Sequence, residues 1–507
     1  MPSSKPARQV LAAGFLAGLV LRLVIVFGGD EGIVWPDEVY QSFEPAHRLV
    51  FGHGLVAWEF IEGARNWALP GFVAFWLKLC ALVGADSPVV YVHVVKLVFA
   101  LGSLAAAWGA YRLAVTLGAK PLFAASAAAL WALSELALYF GHRAMSENAS
   151  AAAVVWGLAL VLDRKASRRV VLLGASLLGL ATLFRLQAGL FCAGALLVLA
   201  VRAWREQASP TPTSWRRVAE VLLVLLAWAV AFGALDAATW KDAPGAKWGG
   251  WFHSAVVYLR FNLIEGKASG WGTSPWHYYL RFLFSSMPGA MAAVVVGGAL
   301  ALRRAPGVAL LALAFAAVHM AVGHKELRFI LPVLPVACAL AGVGLSALSD
   351  WLERRRGVAP STEEAPPSRL AWRVAGVTLA VAAAGAVHQP FLTMGAVGSY
   401  LDRPASSAWD DFGNVNRLLL VASRQKDLCG LRVDVAHMAW VGGSTYLHTK
   451  AQLFPAGVPH QAGYFNYVIT FPGSGAEVIA QDKGIELVRI PGMTGCVPYP
   501  GYTWRLP

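Results

Sequence analysis

Trp67 to Gly84 reads WALPGFVAFWLKLCALVG, and whether it crosses a bilayer decides the topology of everything after it. It is borderline in length for a span, and Pro70 and Lys78 interrupt it. Read as an interfacial or re-entrant helix, it leaves a first span at Val10 to Gly28. Further spans follow at about Val89 to Leu117, Pro121 to Phe140, Asn148 to Leu162, Val170 to Phe184, Ala188 to Val201 and Val218 to Asp236. The last four are Phe282 to Leu302, Gly307 to Gly323, Phe329 to Ser349 and Ala371 to Gln389, which predicts about eleven transmembrane helices. A cytoplasmic start then puts Lys120, Arg164 to Arg169, Arg202 to Arg217, Arg303 with Arg304, and Arg354 to Arg373 on the cytoplasmic side, as the positive-inside rule requires. A full span at Trp67 to Gly84 would reverse every one of those loops.

Composition points the same way. Of 507 residues, 57% are apolar and 14% charged, with a mean hydropathy of +0.55, which excludes an ordinary soluble protein. The formal charge of +13 sits in short runs between spans, with no basic face or arm, so orientation explains it and nucleic acid is not an expected partner. Arg22 lies inside the first span, where a charge costs roughly 2.5 to 3.5 kcal/mol unless it finds a partner. A partner within the helix bundle is expected. Lys5 and Arg8 before an apolar run resemble the start of a signal peptide, but no small-residue cleavage site precedes Asp30, so the run is read as an uncleaved span.

The loops Gln207 to Ser214 (QASPTPTS) and Gly357 to Ser368 (GVAPSTEEAPPS) read as flexible cytoplasmic connectors. The opposite side receives Gly29 to Pro88, Gly141 to Glu147, Trp240 to Arg281, His324 to Arg328 and the tail from Phe391. In the tail, a helical pattern over Asp411 to Arg424 precedes strand-like runs at Leu431 to Val435, Tyr467 to Thr470 and Glu486 to Ile490. The expected organisation is a membrane domain over 1–390, with outward loops at 29–88 and 240–281, and a small α/β extracytoplasmic domain over 391–507. Cys80, Cys192 and Cys338 lie in apolar stretches and read as small buried hydrophobes. Cys429 and Cys496 share the polar tail, and spacing alone leaves their pairing open.

The chemically suggestive residues all face outward. Pro36 to Phe60 reads PDEVYQSFEPAHRLVFGHGLVAWEF, with Asp37 and Glu38 at its front and Glu44, Trp58 and Glu59 behind them. A partly desolvated carboxylate there can take a proton from an acceptor hydroxyl, or Asp37 can simply cap a short helix. His324, Lys325, Glu326 and Arg328 crowd GHKELRFILPVLP; they suit an anion such as phosphate, or they snorkel and pair among themselves. Trp276, His277 and Tyr278 in WGTSPWHYY fit a sugar ring or an interfacial aromatic belt. Arg143 in GHRAMSEN and Arg185 in FRLQ end predicted spans, where each can meet a lipid phosphate or neighbouring carbonyls. No phosphate loop, dinucleotide fingerprint, HExxH or CxxC occurs, so pumps, nicotinamide enzymes and zinc proteases lose support, and no metal site is expected.

PDEVYQSFEPAHRLVFGHGLVAWEF, WGTSPWHYY and HKELRFILPVLP, in that order, resemble the first outward loop, the G-T-H-P-W-H-W-Y region and the H-K-E-x-R-F-x-x-P signature of glycosyltransferase family 22, in the GT-C class. The likeness covers roughly 10 to 350 and matches the tail weakly. It departs at Ser274, where the family usually has His, and at Leu327, where a second acidic residue is common. The resemblance implies a GT-C fold and inverting transfer of mannose from a polyprenyl- or dolichyl-phosphate donor to a glycan or glycolipid hydroxyl on the outer face. Asp37 would be the base with Glu38 beside it. His324, Lys325, Glu326, Arg328, Arg143 and Arg185 would serve the donor phosphate. Glu44, Trp58, Glu59, Trp276, His277 and Tyr278 would serve the sugar or acceptor. The lipid-phosphate sugar is a substrate, and no cofactor is implied. Another lipid-phosphate sugar, or transport of a lipid-linked sugar, is the alternative. The expected location is a prokaryotic plasma membrane, with the endoplasmic reticulum as alternative.

Overall fold

The structure is a computed structural model that describes residues 4–28, 32, 35–205, 214–357, 366–398, 404–409, 413–493 and 495–499. Residues 207–213 and 358–365 of the two expected connectors, and the start of the expected tail helix at Asp411, lie outside the described residues. Every predicted span is helical. By length and apolarity six described helices can cross a membrane: Lys5–Gly28, Pro88–Thr116, Leu186–Arg205, Trp215–Trp240, Leu327–Arg355 and Arg369–Phe391. Pro121–Ala132 and Glu135–Gly141 add a seventh if the pair, bent by 52°, is one span. Ser146–Leu162, Arg168–Phe184, Pro288–Ala301 and Pro306–Ala321 are shorter than that test requires.

Two expected spans are not single straight helices. Phe282 to Leu302 breaks at Met287 into Tyr278–Ser286 and Pro288–Ala301, because Pro288 lacks an N–H and disfavours helical backbone in the residue before it. Pro121 to Phe140 breaks at Leu133 and Ser134, where Ser134 caps the second half through Ala137 N. Arg22, 1% exposed, meets that break. Its guanidinium donates to Ala132 O at 2.7 Å, Gly18 O at 3.1 Å, Ala137 O at 3.3 Å and Ser103 Oγ at 3.1 Å. These three carbonyls, Ala132 O at the break among them, and the Ser103 hydroxyl are the partners expected for the span-interior charge.

Contacts gather the chain into two units, one of Met1–Val24, Val98–Ala234 and Leu259–Trp409, the other of Ile25–Leu97, Leu235–Tyr258 and Asp410–Pro507. In the first, small residues let helices touch backbone to backbone. A Cβ on Gly297 would lie 2.6 Å from Ala341 O, and one on Gly157 would lie 2.9 Å from Gly174 O. These contacts pack Pro288–Ala301 on Leu334–Arg355, and Ser146–Leu162 on Arg168–Phe184.

The second unit carries a five-stranded sheet of order β2-β1-β3-β5-β4, with β1 Gly430–Val433, β2 Gln452–Pro455, β3 Tyr467–Thr470, β4 Glu477–Asp482 and β5 Ile485–Arg489. β1 runs parallel to β2 and β3, while β5 runs antiparallel to β3 and β4. Helix Gly413–Ala422 packs on this sheet. The sequence reading missed β2, whose buried pair Leu453 and Phe454 is too short a run to stand out, and β4, which has no buried residue. Cys429 and Cys496 form a disulfide with Cα atoms 5.6 Å apart. Trp67 to Gly84 is the 15-residue helix Ala68–Leu82.

Candidate functional site

In the first unit, the short loop after Pro306–Ala321 delivers His324 to Arg328, and the start of Ser146–Leu162 delivers Glu147. Glu326 and Arg328 pair as a fork, Nε to Oε2 at 2.9 Å and Nη2 to Oε1 at 2.8 Å. Arg328 Nη1 donates to Glu147 Oε1 at 3.0 Å, and Arg185 Nη1 meets that same oxygen at 2.7 Å. Ser146 Oγ accepts from Arg185 at 3.2 Å and donates to Glu147 Oε2 at 3.0 Å. Arg328, Glu147 and Arg185 have side chains only 3%, 1% and 4% exposed. Both guanidiniums also lie over the Phe329 ring, at 5.0 and 5.3 Å.

His324 closes the row. Its Nδ1 lies 3.1 Å from Gly272 O and its Nε2 3.3 Å from Glu326 Oε1, two acceptors that favour the doubly protonated ring. Burial pushes the imidazole down, but the Glu326 carboxylate and the Gly272 carbonyl outweigh it and raise its pKa. Burial likewise pushes Glu326 up, and the charges of Arg328 and His324 reverse that and hold it low. Desolvating such ions costs several kcal/mol each. A charged hydrogen bond returns only about 1.5 to 3 kcal/mol. The row is therefore a poor source of stability.

Lys325, expected on the phosphate, is 6% exposed and spends its donors on carbonyls: Ser274 O at 2.8 Å, Gly323 O at 3.5 Å and Val322 O. It ties the 272–274 backbone to the HKELR loop, where Ser274 N also donates to Gly323 O at 2.9 Å. Arg143 is fully buried, with Nε on Tyr139 O at 3.3 Å and its guanidinium 4.8 Å above the Tyr139 ring. Tyr278 is buried and donates to Gly398 O at 3.2 Å, whereas Trp276 is 65% exposed and His277 is exposed beside it. Glu147 was the residue missed. It was visible only as one charge in GHRAMSEN, with nothing nearby in sequence to reveal its arginine partners.

In the second unit, Pro36–Glu38, a π turn at Val39–Phe43 and Glu44–Phe51 form one continuous helical run that ends at Gly52, φ +78°. Pro36 starts it, and the N-cap residue is Trp35, so Asp37 does not cap the helix but lies in its first turn. Asp37 is half-buried and Glu38 fully buried. Negative charge is favourable there because the first-turn N–H groups have no helical acceptors. Glu59, in Trp58–Ile61, accepts from Gln41 Nε2 at 2.9 Å, while its buried Oε2 has no partner among the described residues. Burial raises the Glu59 pKa to about 7, with Arg65 opposing and Asp37 adding. Burial also raises Glu44 to about 7, against hydrogen bonds from Leu55, Thr445 and Ser444.

A family model described as the Alg9-like mannosyltransferase family matches residues 14–394. Mannosyltransferase APTG1 of Arabidopsis thaliana is 25% identical over 62% of this chain and 55% of its own length. GPI alpha-1,2-mannosyltransferase 3 is 28% identical in Bos taurus, over 62% of this chain and 56% of that protein, and 26% in Homo sapiens, over 66% and 57%. The chain thus spans little more than half the length of these curated relatives. Among solved structures, ArnT from Cupriavidus metallidurans bound to undecaprenyl phosphate aligns with a TM-score of 0.55 at 15% identity, over 96% of this chain and 98% of that one. Archaeal oligosaccharyltransferase AglB from Archaeoglobus fulgidus, in complex with an inhibitory peptide and a dolichol-phosphate, aligns at 0.50 and 14%, over 92% and 69%. At such identities the likeness concerns the fold, which is GT-C.

Proposed function

We propose that this chain, which belongs to the Alg9-like mannosyltransferase family, is an inverting mannosyltransferase using a polyprenyl-phosphate-linked donor. The acceptor is a hydroxyl of a glycan or glycolipid on the outer face of a membrane. The observation that carries the reading is the buried row in which one carboxylate oxygen of Glu147 holds both Arg185 and Arg328 inside the HKELR region. Two guanidiniums converging in a desolvated place suit a phosphate that gains charge as its bond to the sugar breaks, once it takes over donors that Glu147 and Glu326 hold here.

In this reading Asp37 accepts the proton of the acceptor hydroxyl, whose oxygen forms the new bond to the anomeric carbon. The bond from that carbon to the phosphate oxygen breaks, and polyprenyl phosphate leaves with the electron pair, its charge met by Arg328 and Arg185. Glu38 and Glu59 shape the acceptor side, where Trp58 contributes aromatic surface for a sugar ring, and the exposed Trp276 and His277 offer such surface in their own unit. Lys325 holds the donor loop in shape through its carbonyl contacts. Because the leaving group arrives already phosphorylated, the reaction as written has no cofactor.

The proposed setting is a prokaryotic plasma membrane. Eleven membrane helices carry 1–390, the four shorter ones spanning within the bundle, and an extracytoplasmic domain follows over 391–507. Two observations support an outward tail: the basic loops fall on the other side of this topology, and the Cys429–Cys496 disulfide suits an oxidising compartment. The test is transfer of mannose by the purified protein from polyprenyl-phosphate mannose to a panel of glycolipid acceptors. A hexose-extended product dependent on that donor is expected, and transfer from a different lipid-phosphate sugar alone would overturn the reading.

A further inference from the structure

Tyr40, Glu44 and His47 follow helical spacing along 36–51, so they share a face of the run that begins with Asp37 and Glu38. Each meets the tail. Tyr40 Oη donates to Met438 O at 2.7 Å. Glu44 Oε1 accepts from Thr445 N at 2.6 Å and Thr445 Oγ1 at 2.8 Å, while its Oε2 accepts from Leu55 N at 2.8 Å. His47 Nε2 lies 3.0 Å from His448 Nδ1. Gly443, at φ +59°, leaves room for this approach, because a Cβ there would fall 2.6 Å from Glu44 Oε1.

The composition of this contact is informative. Tyr40, Glu44, His47 and Thr445 are all buried, and their bonds are directional, so a rotated helix would leave several buried polar groups unpaired at about 1 to 3 kcal/mol each. An apolar contact would tolerate such a rotation. A defined rotation matters here because the π turn at Val39–Phe43 widens the helix just after Asp37 and Glu38, and such turns are rare and frequently found at functional sites.

We propose that tail residues 438–448 are a positioning clamp for the helix that carries Asp37, and that the Thr445 hydroxyl and Tyr40 Oη fix its rotation. The role assigned to that helix rests on the reading of Asp37 as base; the clamp itself does not. It gives the C-terminal domain a part in the reaction through the helix it holds.

The test uses the full-length protein carrying Thr445→Val with Tyr40→Phe, which removes two hydroxyls and keeps the backbone donor and the volume. Amide exchange over residues 36–51 is expected to accelerate while the membrane helices stay unchanged. Turnover should fall about 10- to 100-fold with the donor KM within about twofold, as expected for a misplaced group. Thr445→Ser, which retains the hydroxyl, should behave as wild type. Unchanged exchange over 36–51 in the double variant overturns the clamp whatever the turnover does, as does a loss confined to the donor KM. Accelerated exchange in a protein whose turnover ignores Asp37→Asn supports the clamp and removes the base reading instead.

Discussion

Glu147 and Arg328 stand 181 residues apart in sequence and meet at 3.0 Å, both buried. The same Glu147 oxygen holds Arg185, so this carboxylate keeps two like charges together in a place where they would otherwise repel.

Glu147→Gln keeps the size of the side chain and removes its charge. The arginines then lose their common counter-ion, a change worth about 2 to 5 kcal/mol for a buried pair. The expected outcome is a rise of roughly 10-fold or more in the donor KM with the acceptor KM unchanged, each tenfold being about 1.4 kcal/mol. Steady-state kinetics with each substrate varied in turn measures it. Equal changes in both KM values would make Glu147 a general structural residue.

Glu59 makes stability depend on pH with a definite sign. Its folded pKa is about 7 against 4.5 for the free group, so between those values the folded state holds a proton that the unfolded chain has released. The contribution is complete below about 4.5 and is lost as pH rises through about 7. The Tm of the wild type relative to Glu59→Gln should therefore fall across that window and level off above it. A pH-independent difference would show that Glu59 ionises normally.

How much of this was legible beforehand differed by level. Apolar runs gave the helices, since that signal is local. The breaks at Leu133 and Met287 were harder: Pro288 was visible, but the bend at Leu133 depends on Arg22 accepting responsibility for carbonyls far away in sequence. Arg328 and Arg185 stand out in the sequence because basic residues at span ends are conspicuous. Glu147 and Thr445 were not, because their meaning lies in partners 38 to 401 residues distant, Arg185 and Arg328 for one and Glu44 for the other. Lys325 looked like a phosphate ligand by charge, and only its carbonyl partners reveal the loop it fastens.

The Cys429–Cys496 disulfide closes a 67-residue separation around the sheet. Replacing both cysteines by serine should cost about 2 to 5 kcal/mol, felt first in the tail. Limited proteolysis is expected to cut residues 413–493 earlier in that variant, with the membrane helices intact. Equal protease resistance with and without the bridge would show that the sheet holds itself.

The most direct test of the account is Asp37→Asn in purified protein supplied with polyprenyl-phosphate mannose and its acceptor. Loss of a general base predicts turnover lower by about 10²- to 10⁴-fold, with donor KM and thermal stability near wild type. Full turnover in the Asn variant would contradict the assignment of Asp37 as the base.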